Sequence, residues 1–508
     1  MKHLTLALSL LLACHAAHAQ RPLAELIQNG ERSAAMTLIR DGADVNAAQG
    51  DGTTPLHWAV YRVDAELVAA LLARGAKADV ANNYGSSPLA EAVKLGDLRL
   101  VRQLLDAGAG VESPNGDGQT ALMLAARTGA LDVAKLLVER GANVNTEEAW
   151  RSQTALMWAV DGNYPELAEF LIERGADVNA RAAANTWDSQ ITSEPRAQYR
   201  PIGGLSVLLY AARSGCTRCV RSLLEAGAEV NQPNPEGMTP LMIAIDNFRY
   251  DTARLLLDQG ANPHAWDWYG RTALYVAVDM STYARQAPPA ASSETSATDL
   301  IGLLLEAGVN PSPQLNMHRP SRGGNIGRFT DDLLTTGATP LLRAAIGHDA
   351  PAVRLLLEHG AVVDLANVMG VTPLMAAAGM GVSGRDRRFN PDELQARVID
   401  VLEILLAAGA DIDARVTDIH GRTARIARPS TMTEREGQTA LFGAVKFGWK
   451  NVVEFLLSNG ADPNVADALG KTPLDGAMGR IGGRDNTVSE EIAALLRAAG
   501  GDGPIAAR

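Results

Sequence analysis

One short phrase returns eleven times in this chain of 508 residues, and it restricts the fold more than any other feature. It reads TTPLHWA at 53–59, SSPLAEA at 86–92, QTALMLA at 119–125, QTALMWA at 153–159 and MTPLMIA at 238–244, and it degenerates to SVLLYA at 206–211. Its Thr or Ser falls at 54, 87, 120, 154, 206, 239, 272, 339, 372, 439 and 472, so seven of the ten intervals are 33 or 34 residues. Length alone suggests about three domains. A fixed period points instead to one array of small stacked units.

The residues of the phrase explain what each unit forms. A Thr or Ser offers its side-chain oxygen to the free amides of a first helical turn, and the Pro beside it occupies the position where a missing N–H costs nothing. The Leu and Ala that follow share one face, and the small Ala lets a neighbouring helix approach closely. A second apolar block follows each phrase, as in LLARGAKAD, LLVERGANVN and LLLDQGANPH. Its Gly accepts the left-handed backbone that ends a helix. The unit is therefore two short helices and a turn.

This T-P-L-H-x-A phrase and 33-residue period resemble the ankyrin repeat family, and within it the secreted bacterial proteins with interrupted repeats. The resemblance implies an all-α fold, an ankyrin-repeat solenoid of about twelve helix-turn-helix units with hairpin fingers and long loop insertions. It covers a single domain at 20–500 with an N-terminal cap at 22–47, and leaves a tail at 501–508. It also implies a concave face and a role in binding a protein partner.

The remaining intervals, of 52, 67 and 67 residues, hold inserted material that keeps the frame. Insertions at 181–203, 312–336 and 414–436 replace hairpin fingers, whereas those at 284–298, 380–394 and 480–488 interrupt the turn between paired helices. The two sets are expected on opposite edges, outside the stacked core, so that deleting 312–336 leaves the stack folded. The finger insertions contain eleven Arg and no Lys, and each has an Arg-Pro pair, at Arg200, Arg319 and Arg428. A row of guanidinium groups suits the carboxylates of a partner. Arg also replaces Lys through the whole chain, 39 to 7, which is a composition bias that accounts for the same residues.

Lys2, the apolar run from Leu4 to Ala13 and the pattern Ala17, His18, Ala19 read as a signal peptide at 1–19, cleaved near Ala19, for export to a bacterial periplasm. Leu11, Leu12 and Ala13 before Cys14 also resemble a lipobox, which would make Cys14 a lipid anchor. No later apolar run is long enough to span a bilayer, so no transmembrane segment is expected. The net charge of −12 and a pI near 5.3 argue against a nucleic-acid binder, which needs excess Lys and Arg facing phosphate.

One finger differs from the others in carrying Trp266, Trp268 and Tyr269 where Lys, Asp and Asn are usual. Exposed aromatic area is a common binding hot spot. The competing reading is that the insertion at 312–336 folds back and covers the rings. Trp58 and Trp158, fifth in their phrases, point toward the concave side, where packing competes with direct contact.

Cys216 and Cys219 are the cysteines left after signal removal, and their spacing suits a disulfide, a thiol–disulfide exchange pair or two reduced thiols in the core. No hydrolase, phosphate-loop, dinucleotide or metal-ligand motif appears. The expected function is a non-enzymatic interaction scaffold with no cofactor or metal, acting as a monomer on a protein partner. The alternatives are an exchange module using the Cys pair, or a host-directed effector.

Overall fold

A computed structural model describes residues 21–185, 202–284, 293–316, 333–334, 336–380, 390–417, 435–479 and 488–501. Among them, twenty-four helices run in twelve pairs from Leu23–Gln28 to Glu490–Ala498, with one two-stranded ladder between Ala184–Asn185 and Ile202–Gly203. The segments read as signal, lipobox and tail fall outside the described residues, apart from residues at their borders. Two compact units are distinguished, one of residues 1–183 with 221–228 and one of 184–220 with 229–508.

Local chemistry builds the pairs as the phrase requires. Ser87 Oγ accepts the amide of Ala90 at 3.0 Å, and Thr339 Oγ1 that of Leu342 at 3.1 Å, with Pro88 and Pro340 opening the helices. Leu56, Ala59, Leu89 and Ala92 are buried as neighbouring first helices pack, Pro55–Tyr61 against Pro88–Leu95. The second helix Ala65–Ala73 adds buried Leu67, Val68 and Leu71.

The His of the first phrase is a lock between repeats. His57 Nδ1 accepts the Thr54 amide at 3.1 Å, so its proton sits on Nε2, which donates to the Ser86 carbonyl of the next repeat at 3.0 Å. Burial pushes the His57 imidazole below its usual value, against the opposing pull of the Ser86 carbonyl, Glu91 and Asp51. The unfolded chain then binds the proton more readily, so stability falls as the pH drops below about 6.5. Urea midpoints measured across that range should fall on the acid side, and less steeply in a His57→Gln variant.

Fingers are held by a repeated backbone pattern. Asn82 N–H donates to Ser86 O at 2.9 Å and Asn115 N–H to Gln119 O at 3.0 Å, while the Asn side chain caps the amides within the turn. Several fingers also donate to the one before them: Asn83 to Asp51 and Ala149 to Asp117, both at 2.9 Å. This close approach explains Gly118, which has φ +78° and leaves only 3.0 Å between a Cβ placed there and the Ala149 nitrogen. Gly118→Ala is expected to cost about 2 kcal/mol in urea unfolding, from left-handed strain and the lost approach.

Two of the three finger insertions close on one scheme, and the first is closed by a short ladder. Leu315 N–H donates to Ala338 O and Gly337 N–H to Leu315 O, at 3.0 and 2.8 Å; Val416 pairs with Gln438 and Gly437 at the same two distances. Ala184 faces Gly203 in the antiparallel ladder. The expectation that 312–336 lies wholly outside the core is corrected here, because Leu315, Leu333 and Leu334 are buried. Deleting 312–336 would therefore remove core, whereas replacing 317–332 with a short Gly-Ser link should leave the urea midpoint of unit 184–220/229–508 unchanged.

The second set of insertions falls in sequence between the helices of a pair, with limits that shift, and its central residues lie outside the described residues. Residues 297–298 belong to helix Ala297–Glu306 and 391–394 to helix Pro391–Ala407, while helix Ala273–Ala284 runs on to twelve residues. Ser296 and Asn390 cap the two later helices, which sets their starts.

Candidate functional site

The finger at 266–272 is built around a buried ion pair. Asp267 Oδ1 accepts the amides of Tyr269 and Arg271 at 3.0 and 2.8 Å, and its other oxygen takes Arg271 Nε at 2.7 Å. Burial opposes the Arg271 charge, yet Asp267 and Asp246 outweigh it and hold the guanidinium above its usual pKa. The Arg271 guanidinium carbon also lies 5.5 Å from the Tyr269 ring centre. Trp268 N–H donates to Glu236 O of the previous finger at 2.7 Å, and Trp266 bridges to Thr272.

Rigidly mounted in this way, Trp266 and Trp268 stay 71% and 44% exposed, so they offer apolar area that water covers poorly. Tyr269 does not join them. It is 6% exposed, with Arg271 against its ring and Asn316 N–H on its carbonyl at 2.9 Å, so the expected three-ring contact reduces to two. Most of the insertion expected to fold back over these rings, residues 317–332, lies outside the described residues. Beside Trp266 opens a cleft of about 380 Å³, lined also by His264, Thr272, Asn310, Pro313 and Asn316.

Ankyrin repeat models match residues 23–115, 89–182, 192–267, 208–285 and 290–416 as sets of three copies, and a single repeat matches 436–468. The chain belongs to the ankyrin repeat family. Its relatives include the mouse ankyrin repeat and SOCS box protein 16, 30% identical over 288 residues, 54% of each chain. The mouse B-cell lymphoma 3 protein homolog is 30% identical over 171 residues, 32% of this chain and 38% of that one. The chain thus spans about a third to a half of the length of these relatives. The human ASB11 ankyrin repeat domain superposes with a TM-score of 0.39 at 23% identity, covering 48% of this chain and 99% of that domain.

Ankyrin repeats are protein-interaction modules, so the remaining candidate residues are weighed as contacts. Trp58 and Trp158 are half-buried on their first helices. Trp58 Nε1 donates to Gln49 Oε1 at 2.9 Å and its ring meets Tyr61 edge-on at 5.8 Å, while Arg127 stands 6.0 Å over Trp158. These contacts favour packing. Arg200, Arg319 and Arg428 lie outside the described residues.

Two aromatics were not anticipated. Tyr84 and Trp150 stand at fingertips and are 78% and 68% exposed. The rule that singled out the 266–269 finger, an aromatic where polar residues are usual, applies equally to both. Cys216 and Cys219 are joined in a disulfide, and both are buried. Among the described residues, no helix is long and apolar enough to cross a membrane.

Proposed function

We propose that this ankyrin-repeat chain is a non-enzymatic scaffold, exported to a bacterial periplasm and monomeric, that binds a protein partner through its fingers, inserted loops and first-helix faces. The observation that carries this reading is the pair of exposed tryptophans on a finger fixed by a buried ion pair, since rigid aromatic area binds without a large ordering cost. The acidic chain suits protein rather than nucleic-acid partners. The N-terminal pattern from Lys2 to Ala19 supports export. Affinity capture from periplasmic extract tests it. Trp266→Ala with Trp268→Ala should weaken the captured complex by about 30-fold or more, as for truncated hot spots of about 2 kcal/mol. Equal capture by both proteins would remove this finger from the interface.

The Cys pair fits a structural role better than exchange. Exchange needs a thiolate to reach a sulfur, and both sulfurs belong to buried residues on a helix pair. A short loop of this kind contributes about 2 kcal/mol by chain entropy. The native protein should show no free thiol after incubation with glutathione, and two after denaturation with reductant. Ready reduction of the folded protein would favour the exchange module.

A further inference from the structure

The exposed rings of Tyr84 and Trp150 belong to a row of four fingertips in unit 1–183/221–228. Each finger pairs an anchor amide with a carbonyl beyond its turn: Gln49 with Thr53 and Asn82 with Ser86 at 2.9 Å, Asn115 with Gln119 at 3.0 Å, and Glu148 with Gln153 at 3.1 Å. Two residues after the anchor stand Asp51, Tyr84, Asp117 and Trp150, so carboxylate and ring alternate at one position of consecutive fingers. The turns abut. A Cβ placed on Gly52, Gly85 or Gly118 would lie 3.3, 2.8 or 3.0 Å from a backbone nitrogen of the next finger. Side-chain caps fix the tips as well. Asp51 Oδ1 accepts the Thr53 amide at 3.0 Å, which holds its carboxyl below the usual range, and Asn82 Oδ1 and Glu148 Oε2 accept the Tyr84 and Trp150 amides at 3.1 and 2.8 Å.

Charge around these rings is unbalanced. The fingers at 46–54, 79–87, 112–120 and 145–154 hold six carboxylates against one cation, Arg151. On the helices of the same unit and at their ends, acids are neutralised in place, as Asp64 and Glu66 are by Arg32, Glu91 by Lys94 and Asp106 by Arg140. Among the described residues, none of the six finger carboxylates is in an ion pair, and Asp79, Asp117 and Glu147 are exposed. The single finger cation shows what the rings accept. Its guanidinium carbon lies 5.4 Å from the Trp150 ring centre, within cation–π range, and the ring is still 68% exposed.

We infer that this row of fingertips binds an extended cationic segment of the protein partner, with Arg side chains on the rings of Tyr84 and Trp150 and on the carboxylates of Asp51 and Asp117. The inference rests on the partner-binding reading above. Carboxylates of one sign without internal partners attract cations and repel an acidic segment. An apolar segment would cover the rings but would also desolvate the carboxylates between them, which costs energy that nothing returns. Arg suits the row better than Lys, because its planar fork both stacks on a ring and bridges a carboxylate.

The test titrates the full chain against labelled decapeptides of arginine, lysine or glutamate and reads binding by fluorescence anisotropy. Oligo-arginine should bind, oligo-lysine severalfold more weakly, and oligo-glutamate not at all. Tyr84→Ala with Trp150→Ala, and separately Asp51→Asn with Asp117→Asn, should each weaken oligo-arginine binding about tenfold. Asp132→Asn with Glu139→Gln makes an equal charge change on helix Leu131–Glu139 and should alter it less than about twofold. Urea midpoints close to that of the unmodified chain show that the variants are folded. Equal weakening by finger and helix substitutions would mean that binding follows net charge alone, and would overturn the fingertip site. Absence of oligo-arginine binding would overturn it too. Either result leaves the scaffold reading to the capture experiment, which turns on Trp266 and Trp268. Salt-sensitive self-association of the unmodified chain, lost in both finger variants, would make the occupant a second copy and overturn the external partner.

Discussion

Arg343→Ala is expected to lower the stability of unit 184–220/229–508 by about 3–5 kcal/mol, the range for removing one partner of a buried ion pair. Arg343 Nε lies 2.5 Å from Asp279 Oδ1, and both side chains are at most 5% exposed. The truncation removes this hydrogen bond and its Coulomb attraction from a buried carboxylate that retains its weaker attraction to Arg271. That group responds by taking up a proton, so the loss should shrink as the pH is lowered. Asp279→Leu with Arg343→Met removes both charges at similar volume, and most of the stability should return. Urea unfolding followed by far-UV circular dichroism reads all three proteins. A loss below about 1 kcal/mol in the single variant would mean that water or the Arg271 charge compensates Asp279.

Gly347→Ala should be the second most damaging of these changes, at about 2–3 kcal/mol, and its cause is packing alone. Gly347 ends helix Pro340–Ile346 in an ordinary right-handed conformation, so alanine meets no backbone strain there. A Cβ at this point would overlap Thr282 Cγ2. Thr282 cannot swing away easily, because it is fully buried, its Oγ1 donates to Val278 O at 3.0 Å, and a β-branched side chain has few rotamers in a helix. Thr282→Ser removes the obstructing methyl, so Gly347→Ala should cost much less in that background. Equal losses in both backgrounds would place the obstruction elsewhere.

These two positions also mark the limit of what the sequence conveys. The repeat unit is legible because each residue of the phrase acts locally: Thr339 caps, Pro340 opens the helix, and Leu341 and Ala344 face the neighbour. The prolonged helix Ala273–Ala284 is different. Asp279, Ser281 and Thr282 are polar residues just before the insertion at 284–298, yet they are buried because Arg343, Asp349 and Gly347 of the following repeat receive them. No periodicity announces a pairing between residues 64 apart. The aromatic finger is a mixed case. Trp266 and Trp268 could be picked by residue type, but the burial of Tyr269 beside the Arg271 guanidinium could not.

The closure shared by the fingers inserted after Leu315 and Val416 separates loop length from repeat register. A regular tip encloses three residues between its paired positions, and the loop closed by Leu315 and Gly337 encloses 21. Chain-closure entropy grows only with the logarithm of length, so that extension costs about 2 kcal/mol, less than the loss expected from Arg343→Ala. Loop length between such pairs can therefore change while the stack on either side keeps its spacing, provided that buried residues such as Leu333 and Leu334 are kept. A chain of this kind can change what it recognises by swapping loops at two ready-made junctions, without redesigning the repeats that carry them.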